Sequence, residues 1–304
     1  MKQNRSHTYF LRGLLSALLT LMSPILLAES KPNVLTTTNI VNDLVVQIGG
    51  DKIQVESLMG PGIDPHYYKA TFSDMRKLAH ADMVFYSGLN LEGRMETVLE
   101  NLSAMKPVIA LSDSVDPDAL ISENGIIDPH FWFSAKLWIQ AAYGVNHHLA
   151  QKVPEHRDYF NQRTEDYVKQ LEELDQWIAQ QIETIPQSQR ILISAHNAFG
   201  YYGMAYNIEV MGLQGINTTS EFGLADLKIL KDLIKQRNIK AVFVESTVSD
   251  RSIQSLISGL RAEGHALKLG GELLSDALGT KKSKTDTYLS MMRHNTKTIL
   301  RALK

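Results

Sequence analysis

The run PEHRDYFNQRTEDYVKQLEELDQWIAQQIETI, residues 154–185, decides how the rest of the chain must be arranged. Pro154 suits the first turn of a helix, where its missing N–H costs nothing. Tyr159, Tyr167, Leu171, Leu174, Trp177 and Ile178 recur at helical spacings with charged residues between them, the pattern of one long amphipathic helix. Pro186 ends it. About 30 residues at a rise of 1.5 Å span roughly 45 Å, enough to cross a small domain. A stiff connector of that length predicts two lobes at a set spacing, with large hinge motion restricted.

Outward from this helix, strand and helix patterns alternate on both sides. On the N-terminal side Val34–Thr38, Ile53–Leu58, Met83–Tyr86 and Pro107–Leu111 read as strands, with helical spacing over Ile40–Ile48 and Phe72–His80. On the C-terminal side Ile191–Ser194, Ala241–Val244 and Ala266–Leu269 read as strands, the last ending in a Gly270-Gly271 turn. Leu227–Gln236, Ile253–Glu263 and Thr287–Leu303 read as helices. Such alternation predicts an α/β fold with parallel sheets in both lobes. The expected organisation is a leader at 1–28, an N-terminal lobe at 29–153, the connecting helix at 154–185 and a C-terminal lobe at 186–304. At 304 residues, two lobes each with a usable core are the default.

The first 28 residues carry Lys2, Arg5 and Arg12, then an apolar run from Leu14 to Leu27 and a small residue, Ala28. That order is a cleavable secretory signal. A membrane anchor is the alternative, but the run is short for a span and Pro24 interrupts it. Loss of those three basic residues leaves 28 basic side chains against 33 acidic ones. An acidic mature chain excludes a general nucleic-acid binder. The chain has no cysteine, which excludes disulfides, thiolate metal sites, a thiol nucleophile and a lipid anchor at an N-terminal cysteine. The expected location is a periplasm-like space.

With ten histidines and no cysteine, any transition-metal site must be built from imidazole and carboxylate. Asp64-Pro65-His66 and Asp128-Pro129-His130 repeat one tripeptide, each after a β segment. Proline stiffens the backbone there, which holds the histidine at a defined place. His196 follows the strand at Ile191–Ser194, and Asp276 follows the Ala266–Leu269 strand. In open α/β sheets ligands bind beyond the carboxyl ends of strands, so all four candidates sit where a cleft site would form. Their separations of 64, 66 and 80 residues match no compact metal-binding motif, and spacing alone does not bring them together.

Four longer stretches carry a resemblance. Gly62-Ile63-Asp64-Pro65-His66-Tyr67-Tyr68, Asp128-Pro129-His130-Phe131-Trp132, Ser194-Ala195-His196-Asn197-Ala198-Phe199-Gly200 and Gly271-Glu272-Leu273-Leu274-Ser275-Asp276-Ala277 follow one another in order. Together they resemble the cluster 9, or TroA-like, metal-binding periplasmic solute-binding proteins of manganese, zinc or iron ABC transporters. The resemblance implies two α/β lobes on a rigid helical backbone with the metal in the cleft between them. It implies His66, His130, His196 and Asp276 as metal ligands, no catalytic residues, and Zn²⁺ or Mn²⁺ as the carried ion, with Fe²⁺ also admitted. It implies a membrane permease as partner and a monomeric receptor. Asn197 stands where the family usually has Asp, and His196 where manganese-selective relatives often have Glu. The His- and acid-rich loop of zinc-dedicated relatives is absent between Tyr86 and Asp128. These departures pull the metal identity in opposite directions.

Other residues take blander readings. Glu245, at the end of a strand, is either a carboxylate that orients a ligand ring or a helix-start or ion-pair residue. Asp64 and Asp128 read as turn formers, with holding of the histidine tautomers as the alternative. Phe131, Trp132 and Trp138 read as core. His80, His147, His148, His156, His265 and His294 read as surface or hydrogen-bonded residues outside the site. No GxxxxGK[ST] motif occurs, so the energy for transport must come from another chain. A secreted metal-dependent hydrolase using the same His/Asp set is the second function; it needs an open coordination position and a general base. A surface adhesin is the third.

Overall fold

The computed structural model describes residues 31–123, 125–218 and 223–304; the expected leader at 1–28 lies outside them. In the N-terminal lobe, β1 (Asn33–Thr36) leads to α1 (Asn39–Gly49), whose first turn is capped by the Thr38 hydroxyl accepting the N–H of Val41 at 3.2 Å. β2 (Gln54–Ser57), α2 (Phe72–His80), β3 (Met83–Tyr86), α3 (Glu96–Ser103) and β4 (Val108–Ala110) complete a four-stranded parallel sheet in the order β2-β1-β3-β4. A short antiparallel hairpin, β5 (Ser122–Glu123) with β6 (Ile126–Ile127), precedes Asp128. Then come α4 (Ala135–Lys152) and the connecting helix α5 (Arg157–Glu183).

In the C-terminal lobe β7 (Ile191–His196) is followed by α6 (Gly200–Tyr206) and β8 (Glu209–Gln214), which pairs parallel with β7. α7 (Leu224–Gln236), β9 (Ala241–Glu245), α8 (Arg251–Ala262) and β10 (Lys268–Leu273) follow, with β9 and β10 also parallel. α9 (Tyr288–Leu303) closes the chain. The parallel-sheet lobes and the single long helix match the expectation from sequence.

Several details differ from it, among them α3, α6, β8 and the β5–β6 hairpin, which were not expected. The connecting helix proper starts at Arg157, because Pro154–His156 forms a separate 3₁₀ turn; its 27 residues span about 40 Å. Gly270 and Gly271 are not a turn but lie inside β10, where the register slips between Leu269 and Gly271. Gly271 sits at φ 140°, and a Cβ on Gly270 would strike the Phe243 ring, so the bulge depends on both glycines. α4 was not anticipated. Its buried residues include four alanines that sit among Leu137, Trp138, Val145 and Leu149, so little polar contrast marks the helix in the sequence.

α5 explains why the lobes are not independent. Its buried stripe is Phe160, Thr164, Tyr167, Val168, Leu171, Leu174, Ile178 and Ile182. α1 and α4 from one lobe and α6 and α9 from the other all pack on α5. One apolar core therefore runs through both lobes, while smaller clusters sit under α7–α8 and under α2–α3. Tyr159 and Trp177, expected on the same face, lie half-buried at its margins beneath cations. Lys52 and Arg163 approach the Tyr159 ring at 5.2 and 5.7 Å, and Arg293 covers the Trp177 ring at 4.8 Å.

Truncating the shared stripe should weaken both lobes together. Leu171→Ala is expected to cost about 2–5 kcal/mol in a single denaturant transition, whereas exposed Glu172→Ala should stay within about 0.5 kcal/mol of the parent. Two separated transitions would contradict a shared core.

Candidate metal centre

The four candidate side chains sit on two Asp-Pro-His turns, a strand end and an irregular segment. In the loop between β2 and α2, Asp64 bends the backbone by accepting the His66 N–H on Oδ1 at 2.9 Å. Its other oxygen accepts the Thr218 hydroxyl from the opposite lobe at 2.8 Å. Asp128 makes the same turn, accepting the His130 N–H at 2.9 Å. Here the same oxygen also lies 2.7 Å from His130 Nδ1. Asp128 is thus more than the turn former expected of it, because it also fixes the ring. His196 is the last residue of β7, not a residue beyond it. Glu245, the last residue of β9, accepts the His196 N–H on Oε1 at 2.8 Å, and its Oε2 lies 2.5 Å from His196 Nδ1 in an ion-pair contact. Glu245 thus ends a strand and starts no helix, and the contact fits both the ion-pair reading and the ring-orienting one. Asp276 lies in an irregular segment after β10.

The four converge. His66 Nε2 and His130 Nε2 are 3.3 Å apart. Asp276 Oδ1 is 3.4 Å from His130 Nε2, and Oδ2 is 3.4 Å from His196 Nε2 and 3.9 Å from His66 Nε2. All four are buried, and their donor atoms lie within 4.8 Å of one another. A tetrahedral ion with bonds of about 2.0–2.1 Å keeps its donors about 3.3–3.4 Å apart, which three of these four separations match. Neither Asp276 oxygen has a hydrogen-bond partner, nor does His196 Nε2. A buried carboxylate left without hydrogen bonds is costly unless a cation compensates it, so the donor set fits a divalent ion.

The rings are not equally held. His130 and His196 each have a carboxylate behind Nδ1, which turns the Nε2 lone pair inward when the ring is neutral. His66 Nδ1 is buried with no partner. Several supports come from residues that carry no local signal of the role. Trp132, expected only as core, packs edge-on against His130 at 5.2 Å and donates from Nε1 to the Ser275 carbonyl at 3.2 Å. Tyr201 donates to the Asp128 carbonyl at 2.8 Å. These pairs join residues 143 and 73 apart, and no local motif announces them. Elsewhere, His80, His265 and His294 contact backbone carbonyls and His147 contacts Gln151, away from the cage as expected.

Charge in the cage is coupled. Burial, reinforced by the charges of His130 and His196 and opposed by Asp276, holds His66 down at about 3, so this ring is neutral. Burial also works against charge on His130, but Asp128 and then Asp276 outweigh it and lift the ring to about 9. His196 is raised well above its ordinary value in the same way, with Glu245 and Asp276 overcoming burial. Burial would raise Asp276, yet the His196 and His130 charges hold it well below the carboxylate range. Without a metal, protons on two rings balance the carboxylates, and a metal must displace them. Binding at pH 7 should therefore release about two protons, read with an indicator dye in weak buffer, and affinity should tighten toward pH 9. In the metal-free protein the stabilisation from protonated His130 is complete below pH 6.5 and fades as pH rises through about 9. Melting curves across that window should fall, and a flat profile would contradict the assignment.

Comparison with known proteins identifies the family. The family described as ZnuA, zinc-uptake complex component A periplasmic, matches residues 34–302. The chain is 44% identical over 279 residues to the manganese-binding lipoprotein MntA of Bacillus subtilis, covering 91% of each. It is 38% identical over 277 residues to the zinc-binding protein TroA of Treponema pallidum, covering 91% of this chain and 90% of that one. The solved structure of the periplasmic zinc-binding protein TroA from Treponema pallidum is similar with a TM-score of 0.88 over 90% of this chain and 99% of that one, at 38% identity. A Mn-bound periplasmic metal-binding protein from Candidatus Liberibacter asiaticus, 22% identical, shares the fold with a TM-score of 0.80 over 90% of this chain and 100% of that one. With a match that spans both lobes and every motif of the cage, the chain belongs to the ZnuA family.

Proposed function

We propose that this protein is an extracytoplasmic solute-binding protein. It captures a divalent transition metal, Zn²⁺ or Mn²⁺, with His66, His130, His196 and Asp276 as ligands and delivers it to an ABC-type membrane permease. The observation that carries this reading is the buried Asp276 carboxylate, unbonded on both oxygens and faced by three imidazole nitrogens. Three neutral imidazoles and one carboxylate leave a bound dication with a net charge of about +1, which the carboxylates of Asp128 and Glu245 behind the rings offset. Raw affinity follows the Irving–Williams order and favours zinc over manganese. Both Asp276 oxygens face imidazoles, so the cage also offers a fifth donor that suits manganese. Family membership and the names of the relatives support a binding protein, and nothing among them supports the hydrolase.

The lobe limits follow the same reading: 29–153, the connector within 154–185, and 186–304, with the receptor acting as a monomer. A periplasmic location is supported by the family description. Among the described residues no helix is long and apolar enough to cross a membrane. The relatives MntA of Bacillus subtilis and FimA of Streptococcus parasanguinis are named lipoproteins, which runs against the expectation of no lipid anchor. Supporting that expectation, this chain has no cysteine to acylate.

Calorimetric titration of the metal-free protein with Zn²⁺ and with Mn²⁺ tests the reading. One ion per chain is expected. His66→Ala and Asp276→Ala should each weaken binding by more than about a hundredfold, beyond what loss of an orienting neighbour costs. Unchanged affinity and stoichiometry in both variants would reject the site.

A further inference from the structure

Asp276 has no hydrogen bond of its own, so its pose is inherited from the backbone that carries it. That backbone is gripped at both ends by asparagine side chains, each bonding twice to the peptide groups of one residue. At the start of the segment, Asn295 of α9 accepts the Leu274 N–H at 2.9 Å and donates to the Leu274 carbonyl at 2.7 Å. At the far end, Asn39 accepts the Leu278 N–H at 2.9 Å and donates to the Leu278 carbonyl at 3.2 Å. The first grip stays within the C-terminal lobe. The second reaches across from the first residue of α1 in the other lobe, 239 residues away in sequence. Between them, Ser275 is held by Trp132 Nε1 on its carbonyl and by Thr247 on its hydroxyl, both at 3.2 Å.

We propose that Asn39 is a positioning residue for Asp276 and sets the metal preference of the cage. The proposal rests on the reading of Asp276 as a ligand. With the segment held at both ends, the carboxylate turns Oδ1 to His130 and Oδ2 to His196, so both oxygens face the ion's place. Three imidazole nitrogens and two oxygens then form a five-donor set. Released at Leu278, the segment gains freedom for the carboxylate to pivot and present one oxygen. Four donors satisfy tetrahedral Zn²⁺, whereas Mn²⁺, which favours more oxygen donors, loses more. Asn39 is not needed to start α1, because Thr38 supplies the cap. A lobe-to-lobe tie with no effect on the ligand would weaken both ions alike or neither.

The test uses the whole chain as Asn39→Ala and as Asn39→Asp, which keeps the acceptor for the Leu278 N–H and gives up the donor. Zn²⁺ and Mn²⁺ dissociation constants are measured by chelator competition. The ratio Kd(Mn)/Kd(Zn) should rise at least about tenfold in Asn39→Ala, and less in Asn39→Asp. The added charge of Asn39→Asp acts on both dications and cancels in the ratio. Co²⁺ bound to Asn39→Ala should gain visible absorption, the mark of a change from five to four donors. If Asn39→Ala does not fold, Asn39→Asp carries the same comparison. An unchanged ratio overturns the proposal, whether both affinities fall or neither does. A parent protein that binds neither ion overturns the ligand reading itself.

Discussion

The Asp276 side chain puts a negative charge where water does not reach and leaves both oxygens without a hydrogen bond. Such a group is tolerable only if positive charge stands beside it. Two kinds of positive charge fit the space: protons on His130 and His196, or one dication that displaces them. The raised histidines and the depressed Asp276 are therefore three expressions of one balance.

Holding that charge in place takes the whole fold. The rings of His130 and His196 are fixed from behind by Asp128 and Glu245, each of which binds both the backbone and the ring of its histidine. The Asp276 segment is fixed by side chains from both lobes. His66 alone has an unsupported ring, on a loop tied across the cleft through Asp64 and Thr218. The cage is thus largely assembled by the scaffold, with its one loosely held member on a loop. Behind it the continuous core on α5 joins the lobes, so their spacing depends on side-chain packing and not on a linker.

Much of this was legible in the linear chain where the signal is local. A helix with charged residues between regularly spaced apolar ones, strands of β-branched residues before turns, and a repeated Asp-Pro-His corner all announce themselves within a few residues. The strand-end rule also singled out the four side chains that the structure gathers in one buried group, although His130 follows an antiparallel hairpin and His66 lies in a long loop after β2. Errors arose where local signals mislead. Gly270-Gly271 has turn composition but serves a bulge under Phe243, and α4 hides its period because its buried face is rich in small residues.

The sequence by itself determined most of the strands and helices, the two-lobe plan, the absence of thiol chemistry and the side chains available to a cation, because each is a property of short windows or of composition. Only the tertiary structure decided that Asp128 and Glu245 lock rings, that Trp132 and Asn39 reach the Asp276 segment, and that both Asp276 oxygens face inward. Those contacts join residues up to 239 positions apart, and their existence depends on how two lobes pack on a common helix, which no local pattern of residues records.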